Sequence, residues 1–351
     1  MSDATQYEPR RGNLERWIAS IMPDATSISL SPFTAATSGF SNATLFTDLT
    51  WSGADGEHRA ELVLRAQPPG GGLFPDYDLR LQYDVMKVLS ETEIPVPKVA
   101  WFIDDPDVLG APCFLMHRVR GEVPSGFRPG FHGHGLFFDA TIERRRAMWF
   151  AALDVLASLH MLNLRELNLP SSLKPGATGR GSIVRLLDQI EGQLNWAEAD
   201  VPLLREALTV LRSRIPDDVI TTLCWGDPRP GNIIYRDDKV AAALDWELAH
   251  IGAAEGDLAY FLLVDEVVAE LNDVPRLPGL PDADETIAYY ESVTSKLVKD
   301  LDFHRTLQAL KMAAMLVLTV RLSPPELKFP PDYLTNNVPT RRLAELLRAY
   351  A

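Results

Sequence analysis

The sequence predicts an α+β chain in two parts: a small N-terminal lobe built on an antiparallel sheet, and a larger, mostly helical C-terminal lobe. Three observations carry that prediction. Residues 28–66 alternate polar and apolar side chains, the period of half-buried strands. From Ile142 onward the apolar residues recur at helical spacing over long segments. One short β-like stretch, 222–248, interrupts those helices. The boundary is placed near residue 120, giving lobes of 1–120 and 121–351, each large enough to bury its own core.

Taken in order, a short amphipathic helix over 14–21 comes first. The alternating region then reads as a meander of three antiparallel strands, turned at Thr37-Ser38-Gly39 and at Gly53-Ala54-Asp55-Gly56, with 61–65 as the third strand. Beyond a loop holding Pro68, Pro69 and three glycines from Gly70, residues 79–89 show helical spacing through Leu81, Val85, Val88 and Leu89. Two more strands, 99–103 and 113–119, flank the turn-rich Asp104-Asp105-Pro106-Asp107. The join at 123–136 is rich in Gly, Pro and His and reads as a loop. Helices are expected at 142–162, 183–197, 203–215, 258–271, 285–297 and 303–322.

Charge narrows the function. With 48 acidic and 34 basic residues among 351, the formal charge is −14. Nucleic acids and anionic membranes need clustered Lys and Arg, so neither is expected as a partner. Cys113 and Cys224, far apart in apolar surroundings, read as reduced core residues. The first residues show no basic leader before an apolar stretch, and the longest apolar run, near 313–320, is far short of the ~20 residues that span a bilayer. The expectation is a soluble, cytoplasmic chain.

The chemistry concentrates in Cys224-Trp225-Gly226-Asp227-Pro228-Arg229-Pro230-Gly231-Asn232-Ile233-Ile234-Tyr235 and in Leu244-Asp245-Trp246-Glu247. Two short apolar strands, 233–235 and 240–244, surround Arg236-Asp237-Asp238-Lys239, a hairpin turn by composition. Folding about that turn brings Asn232 and Asp245 to the same open end, roughly 5–8 Å apart. A hard oxygen pair at that separation suits Mg²⁺. Asp227, five residues before Asn232 across a loop stiffened by Pro and Gly, then projects beside the metal. A carboxylate there is what phosphoryl transfer to a hydroxyl requires, because one group must orient and deprotonate the acceptor.

The residues WGDPRPGNIIY and LDWE resemble the catalytic loop and metal motif of the aminoglycoside phosphotransferase-like family, relatives of choline kinases and, more distantly, of protein kinases. The chain is most similar to the branch with Trp in place of His before Gly-Asp, which includes the kinase-like domains associated with acyl-CoA dehydrogenases. The resemblance implies a bilobal protein kinase-like fold, with a nucleotide-binding lobe over 1–120 and the catalytic loop, metal site and substrate pocket in 121–351. It implies Asp227 as the catalytic carboxylate, Mg²⁺ on Asn232 and Asp245, and Asp257 bracing the catalytic loop or capping its helix. Arg229 is expected to touch the transferring phosphate or the substrate, where a guanidinium binds an oxyanion bidentately.

In the small lobe, Arg65 stands where kinases carry a phosphate-binding lysine, and Gln82 stands where its Glu partner would be, with Asp84 or Asp78 as substitutes. Backbone groups around Gly39, Phe40, Ser41 and Asn42 are expected to contact the phosphates, and those of Met116, His117 and Val119 to bind adenine at the hinge. ATP or GTP is the implied donor and a small hydroxylated molecule the acceptor: an aminoglycoside, another antibiotic, a sugar or a hydroxyacyl compound. The alternative is a nucleotide-binding pseudoenzyme or regulatory module, which Gln82 and the glycine-poor loop favour and the Asp227, Asn232 and Asp245 set disfavours.

Other candidates carry less. His132-Gly133-His134 has no Cys or carboxylate nearby to complete a zinc set and is expected as a solvated loop. His160 is expected as a hydrogen-bonded core residue. No P-loop, G-x-S-x-G or H-E-x-x-H occurs. Residues 251–300 hold 11 carboxylates and 3 basic side chains, so Asp265, Glu266 and Glu270 raise the question of a polycationic acceptor. Tyr260, Phe261, Met312 and Met315 in the same helices suit a lipophilic one. The Pro-rich 274–281 segment is either a rim over the pocket or a plain connection.

Overall fold

The computed structural model describes residues 4–36, 43–67, 78–126, 128–173, 179–323 and 328–350. The chain divides into two units, Met1–Glu91 with Val96–Val119, and Thr92–Pro95 with Arg120–Ala351.

In the first unit, helix α1 (Arg11–Ile21) buries Leu14 and Ile18, one turn apart on a single face. Strands β1 (Thr26–Leu30), β2 (Thr34–Ala35), β3 (Ala43–Gly53) and β4 (Gly56–Ala66) follow. Where three strands were expected there are four, because β1 and β2 both pair with β3, on either side of Pro32, which cannot donate to a ladder. The first expected turn, at 37–39, lies outside the described residues; the second is present, with Gly53 opposite Gly56. Alternation in β3 turns Ala43, Leu45, Thr47 and Leu49 inward. Helix α2 (Leu79–Leu89) is capped by Asp78, whose side chain accepts from Leu81 N. Strand β5 (Val99–Ile103), helix α3 (Pro106–Leu109) and strand β6 (Cys113–His117) complete the sheet in the order β1-β3-β4-β6-β5. Cys113 is fully buried in its core, where burial pushes the thiol up to about 12.

The second unit is helical around two small β-ribbons. Its helices are α4 (Leu136–Asp139), α5 (Ile142–Met161), α6 (Arg180–Trp196), α7 (Pro202–Ser213), α8 (Ala254–Leu271), α9 (Ala283–Thr294), α10 (Leu301–Leu322) and α11 (Val338–Leu347). Caps start several of them: Thr141 for α5, Asp282 for α9, and a reciprocal Asn337–Thr340 box for α11. A shared core of α6, α7, α8, α10 and α11 holds Leu187, Leu194, Leu208, Leu263, Leu310 and Leu343. The ribbons are β7 (Thr221–Cys224) with β10 (His250–Ala253), and β8 (Ile233–Arg236) with β9 (Lys239–Ala243), all antiparallel. Among the described residues no helix is long and apolar enough to cross a membrane.

One expectation changes here. His132 is buried, not solvated: its Nε2 lies 3.0 Å from the Asp265 carbonyl and its Nδ1 accepts from Leu277 N at 3.3 Å. The 274–281 segment supplies that partner and is itself pinned, since Arg276 Nε donates to Asp265 Oδ2 at 2.5 Å and its terminal nitrogens donate to the Leu280 and Pro281 carbonyls. Sequence distance hid this contact, because His132 and Leu277 are 145 residues apart.

Candidate active site

The site is built on the end of β7 and on the β8–β9 hairpin. That hairpin turns through Asp237 and Asp238, both at positive φ (52° and 60°), the backbone a two-residue turn demands. Its register pairs Ile233 with Ala243, and Leu244 N donates to Asn232 O at 2.8 Å, so Asn232 and Asp245 meet at its open end. Asp245 sits in the left-handed region at φ 63°, at the point where β9 leaves the ladder for a 3-10 turn, Trp246–Leu248.

Asp227 is buried, and its two carboxylate oxygens differ. Oδ2 accepts from Asn232 Nδ2 (2.8 Å) and from Arg229 Nε (3.0 Å). Oδ1 is also buried and has no partner at full hydrogen-bond geometry among the described residues, with the Tyr260 phenol as a polar neighbour of the carboxylate. Asn232 Nδ2 donates in addition to the Asp227 carbonyl (3.0 Å), which fixes the amide so that its oxygen points away from Asp227. The Asp227 charge, against the opposing effect of burial, raises the pKa of Arg229.

Tryptophans hold the two segments together. Trp225 and Trp246 stack with ring centroids 5.2 Å apart, while Trp225 Nε1 donates to Leu244 O and Trp246 Nε1 to Ala243 O. The residue before Gly226-Asp227 is thereby tied to the residues around Asp245 by aromatic contact and one hydrogen bond, while the Trp246 bond fixes the Asp245 segment itself.

Behind the loop, Asp257 accepts from Trp225 N (2.6 Å) and Gly226 N (3.0 Å), and His160 Nε2 lies 3.2 Å from its Oδ2. Asp257 is therefore not the cap of α8; that position is Ala253, and Asp257 lies a turn inside. Burial works to raise its pKa, yet the His160 hydrogen bond and the charges around it win, and the net shift is downward. His160, buried and also bonded to Tyr290 OH at 2.7 Å, is a packed core residue.

Lys311 and Tyr260 are residues that sequence reading gave no such role. Lys311, on α10, donates to the Gly226 carbonyl and lies 4.5 Å from the centre of the Tyr260 ring. Burial lowers the lysine's pKa, opposed by the charges of Asp227 and Asp257. Burial first, then the neighbouring Asp227 charge, raises the Tyr260 phenol well above its usual range. One signal for Lys311 was available: it is a lone charge within Leu310-Lys311-Met312-Ala313-Ala314.

In the first unit, Arg65 lies on β4, between Thr44 and Phe114 in register. Gln82 is buried on α2, Asp84 pairs with Arg80 at 2.9 Å, and Asp78 caps the helix. Met116 and His117 end β6, an interior strand between β4 and β5; His117 N donates to Lys98 O and Arg118 N to Glu61 O, while Val119 lies past the strand. Gly39, Phe40, Ser41 and Asn42 lie outside the described residues.

A model described as "Phosphotransferase enzyme family" matches residues 32–290. The chain belongs to the phosphotransferase enzyme family. The chain is 30% identical over 271 residues to acyl-CoA dehydrogenase family member 11 of Pongo abelii, covering 72% of the chain but 32% of that relative. It is 31% identical over 232 residues to family member 10 of Mus musculus, covering 64% of the chain and 20% of the relative. The chain thus spans about a third or less of these curated relatives. Its fold is similar to that of a candidate aminoglycoside phosphotransferase from Ralstonia eutropha (TM-score 0.69, 21% identity, 95% of each chain). It is also similar to a thermostable mutant of aminoglycoside phosphotransferase APH(4)-Ia in ternary complex with ADP and hygromycin B (TM-score 0.61, 13% identity, 97% of this chain and 99% of that one). These likenesses establish an α+β, bilobal kinase-like fold.

Proposed function

We propose that the protein transfers the γ-phosphate of ATP or GTP to a hydroxyl of a small molecule, with Asp227 as the catalytic carboxylate. The observation that carries the reading is the division of labour within that carboxylate. Oδ2 is held by Asn232 and Arg229, while the buried Oδ1 has no partner at full hydrogen-bond geometry among the described residues. A buried acceptor atom lacking its hydrogen bond costs about 1–3 kcal/mol, a deficit that an incoming hydroxyl removes. Oδ1 then orients the hydroxyl and takes its proton as the oxygen attacks phosphorus.

The donor set fits a hard divalent cation. Asn232 has both amide hydrogens' direction set by Asp227, which leaves its oxygen to a metal, and Asp245 stands at the same hairpin end. Mg²⁺ held by Asn232 and Asp245, with the nucleotide, would supply the phosphoryl group and offset its charge. Arg229, fixed through Nε, has its terminal nitrogens available for an anionic oxygen. In this reading residues 1–120 bind the nucleotide, through Arg65, the Gly39 to Asn42 loop and the backbone near Met116, His117 and Val119.

The acceptor is read as neutral or anionic. The carboxylates that would suit a polycation are already engaged: Asp265 by Arg276, Glu266 by Arg305 and Arg342, and Glu270 by Arg341 and Arg342. The test is incubation with Mg²⁺, ATP or GTP and a panel of aminoglycosides, sugars and hydroxylated acyl compounds, read by mass for gain of one phosphate. Asp227→Asn should lower transfer by ~10²–10⁴ while nucleotide binding persists. Nucleotide binding with no transfer to any compound would favour the regulatory alternative, and normal turnover in Asp227→Ala would sink the proposal.

A further inference from the structure

A cavity of about 990 Å³ opens at the opposite end of β7 from Asp227. It is walled by the end of α5 and the segment after it, by the start of β7, by the first turn of α8, and by the segment between α9 and α10. Thr221 and Thr222 at the start of β7 line it, whereas Asp227, beyond the other end of that strand, does not, so the cavity is separate from the catalytic carboxylate.

Its lining is unusual for this molecule. Leu297 (75% exposed) and Ile220 (65%) are the most exposed large apolar side chains among the described residues, and both line it, with Met161 (46%). Large apolar groups gathered in water around one concavity mark a binding surface. At the same cavity stand Arg165 and Lys296, whose side chains make no hydrogen bond or ion pair with the described residues. Lys299 pairs with Asp218 at 3.2 Å, both side chains largely in solvent. Thr221 and Thr222 add neutral polar groups and Glu255 a carboxylate, so the lining sets the cationic Arg165, Lys296 and Lys299 against the carboxylates of Asp218 and Glu255. The volume is that of a small-molecule site, which commonly spans ~300–1,000 Å³.

We propose that this cavity binds a small amphiphilic anion: an apolar body against Leu297, Ile220 and Met161, and one anionic head between Arg165 and Lys296. His160 forms part of its wall and bonds Asp257, so the occupied site backs directly onto the brace of the catalytic loop. The readout below is binding alone, so it stands or falls apart from the phosphotransferase reading.

Decanoate, decyl phosphate and decyltrimethylammonium are titrated into the full chain by calorimetry, each below its micelle-forming concentration. Saturable binding of one decanoate or decyl phosphate per chain is expected, with the better of the two heads identifying carboxylate or phosphate as the preferred group. Removing two methylenes should weaken binding about tenfold. Leu297→Asn and Lys296→Glu change exposed side chains and should leave the melting temperature unchanged, yet each should weaken binding at least about fivefold. The proposal is overturned by the absence of saturable binding, by equal binding of the cationic amphiphile, or by wild-type affinity in both variants. Self-association of the chain that Leu297→Asn abolishes would also overturn it, because the occupant would then be a second copy.

Discussion

Lys311 donates its ammonium hydrogen to the carbonyl of Gly226, joining helix α10 to the residue before Asp227 across 85 positions of sequence. A buried ammonium is costly unless it is bonded and near opposite charge, and here Asp227 and Asp257 supply that charge. Lys311→Met should leave the Gly226 carbonyl unpaired and slow transfer, with nucleotide binding retained. The pH dependence has a definite sign. Burial holds the folded pKa below the usual lysine value of 10.5, so the unfolded chain binds more protons between the two values, and stability rises with pH across that window. Urea midpoints at pH 8 and pH 10 should therefore move in favour of wild type over Lys311→Met. An identical change in both proteins contradicts the assignment.

Asp257 holds two amide hydrogens of the catalytic loop, and an isosteric amide should fail to replace it. In Asp257→Asn, one oxygen becomes an NH₂ group facing N–H donors, so at least one amide loses its acceptor, at about 1–3 kcal/mol. Because the folded pKa lies below 3.8, the carboxylate's contribution is present above that value and lost as pH falls through the folded pKa. The gap between wild type and Asp257→Asn, measured by urea denaturation, should be constant from pH 7 to pH 5 and close in stronger acid. A gap that widens in acid is the contrary outcome.

Local chemistry made the hairpin readable and left its supports hidden. Asp237 and Asp238 announce a two-residue turn, and a turn of fixed length sets the register that brings Asn232 to Asp245. Helices α2 and α8 to α10 were visible because apolar spacing is a property of each segment alone. Strand β10 was missed: four residues, two of them Gly252 and Ala253, have no period to read, and the strand exists through its pairing with β7. His132 and Lys311 acquire their partners from elements over 80 residues away, so composition around them could suggest burial but not the contact. The acidity of 251–300 likewise looked like an open patch until Arg276, Arg305, Arg341 and Arg342 proved to cover Asp265, Glu266 and Glu270.

His304, buried on α10, should make the protein sensitive to mild acid. Burial pushes its pKa down from 6.5 to about 4, and its Nδ1 has no hydrogen-bond partner among the described residues. The unfolded chain then binds an extra proton between those values, so stability falls as pH drops from 6.5 toward 4, by about 3 kcal/mol in total. In His304→Gln that slope should flatten, whatever the variant's stability at pH 7. Urea unfolding at pH 7, 6 and 5 checks this, and parallel slopes in the two proteins would refute it.

Gly226 is the position where a single methyl group should do most damage. Its φ is +86°, where side-chain-bearing residues are strained, and a Cβ there would fall 2.1 Å from the Leu248 carbonyl oxygen. Backbone cannot swing aside as a side chain does, so Gly226→Ala must displace either the Asp227 loop or the segment just after Asp245 and Trp246. A loss of at least about 2 kcal/mol is expected, together with loss of transfer, because both segments carry the site. Gly231→Ala is the informative contrast: its Cβ would meet Arg229 Nη1 at 3.2 Å, the mobile end of a side chain. That variant should fold with nearly wild-type stability while the guanidinium shifts, so its defect should appear in turnover and not in the urea midpoint. Comparable stability losses in both variants would mean that the Leu248 contact does not set the position of the loop.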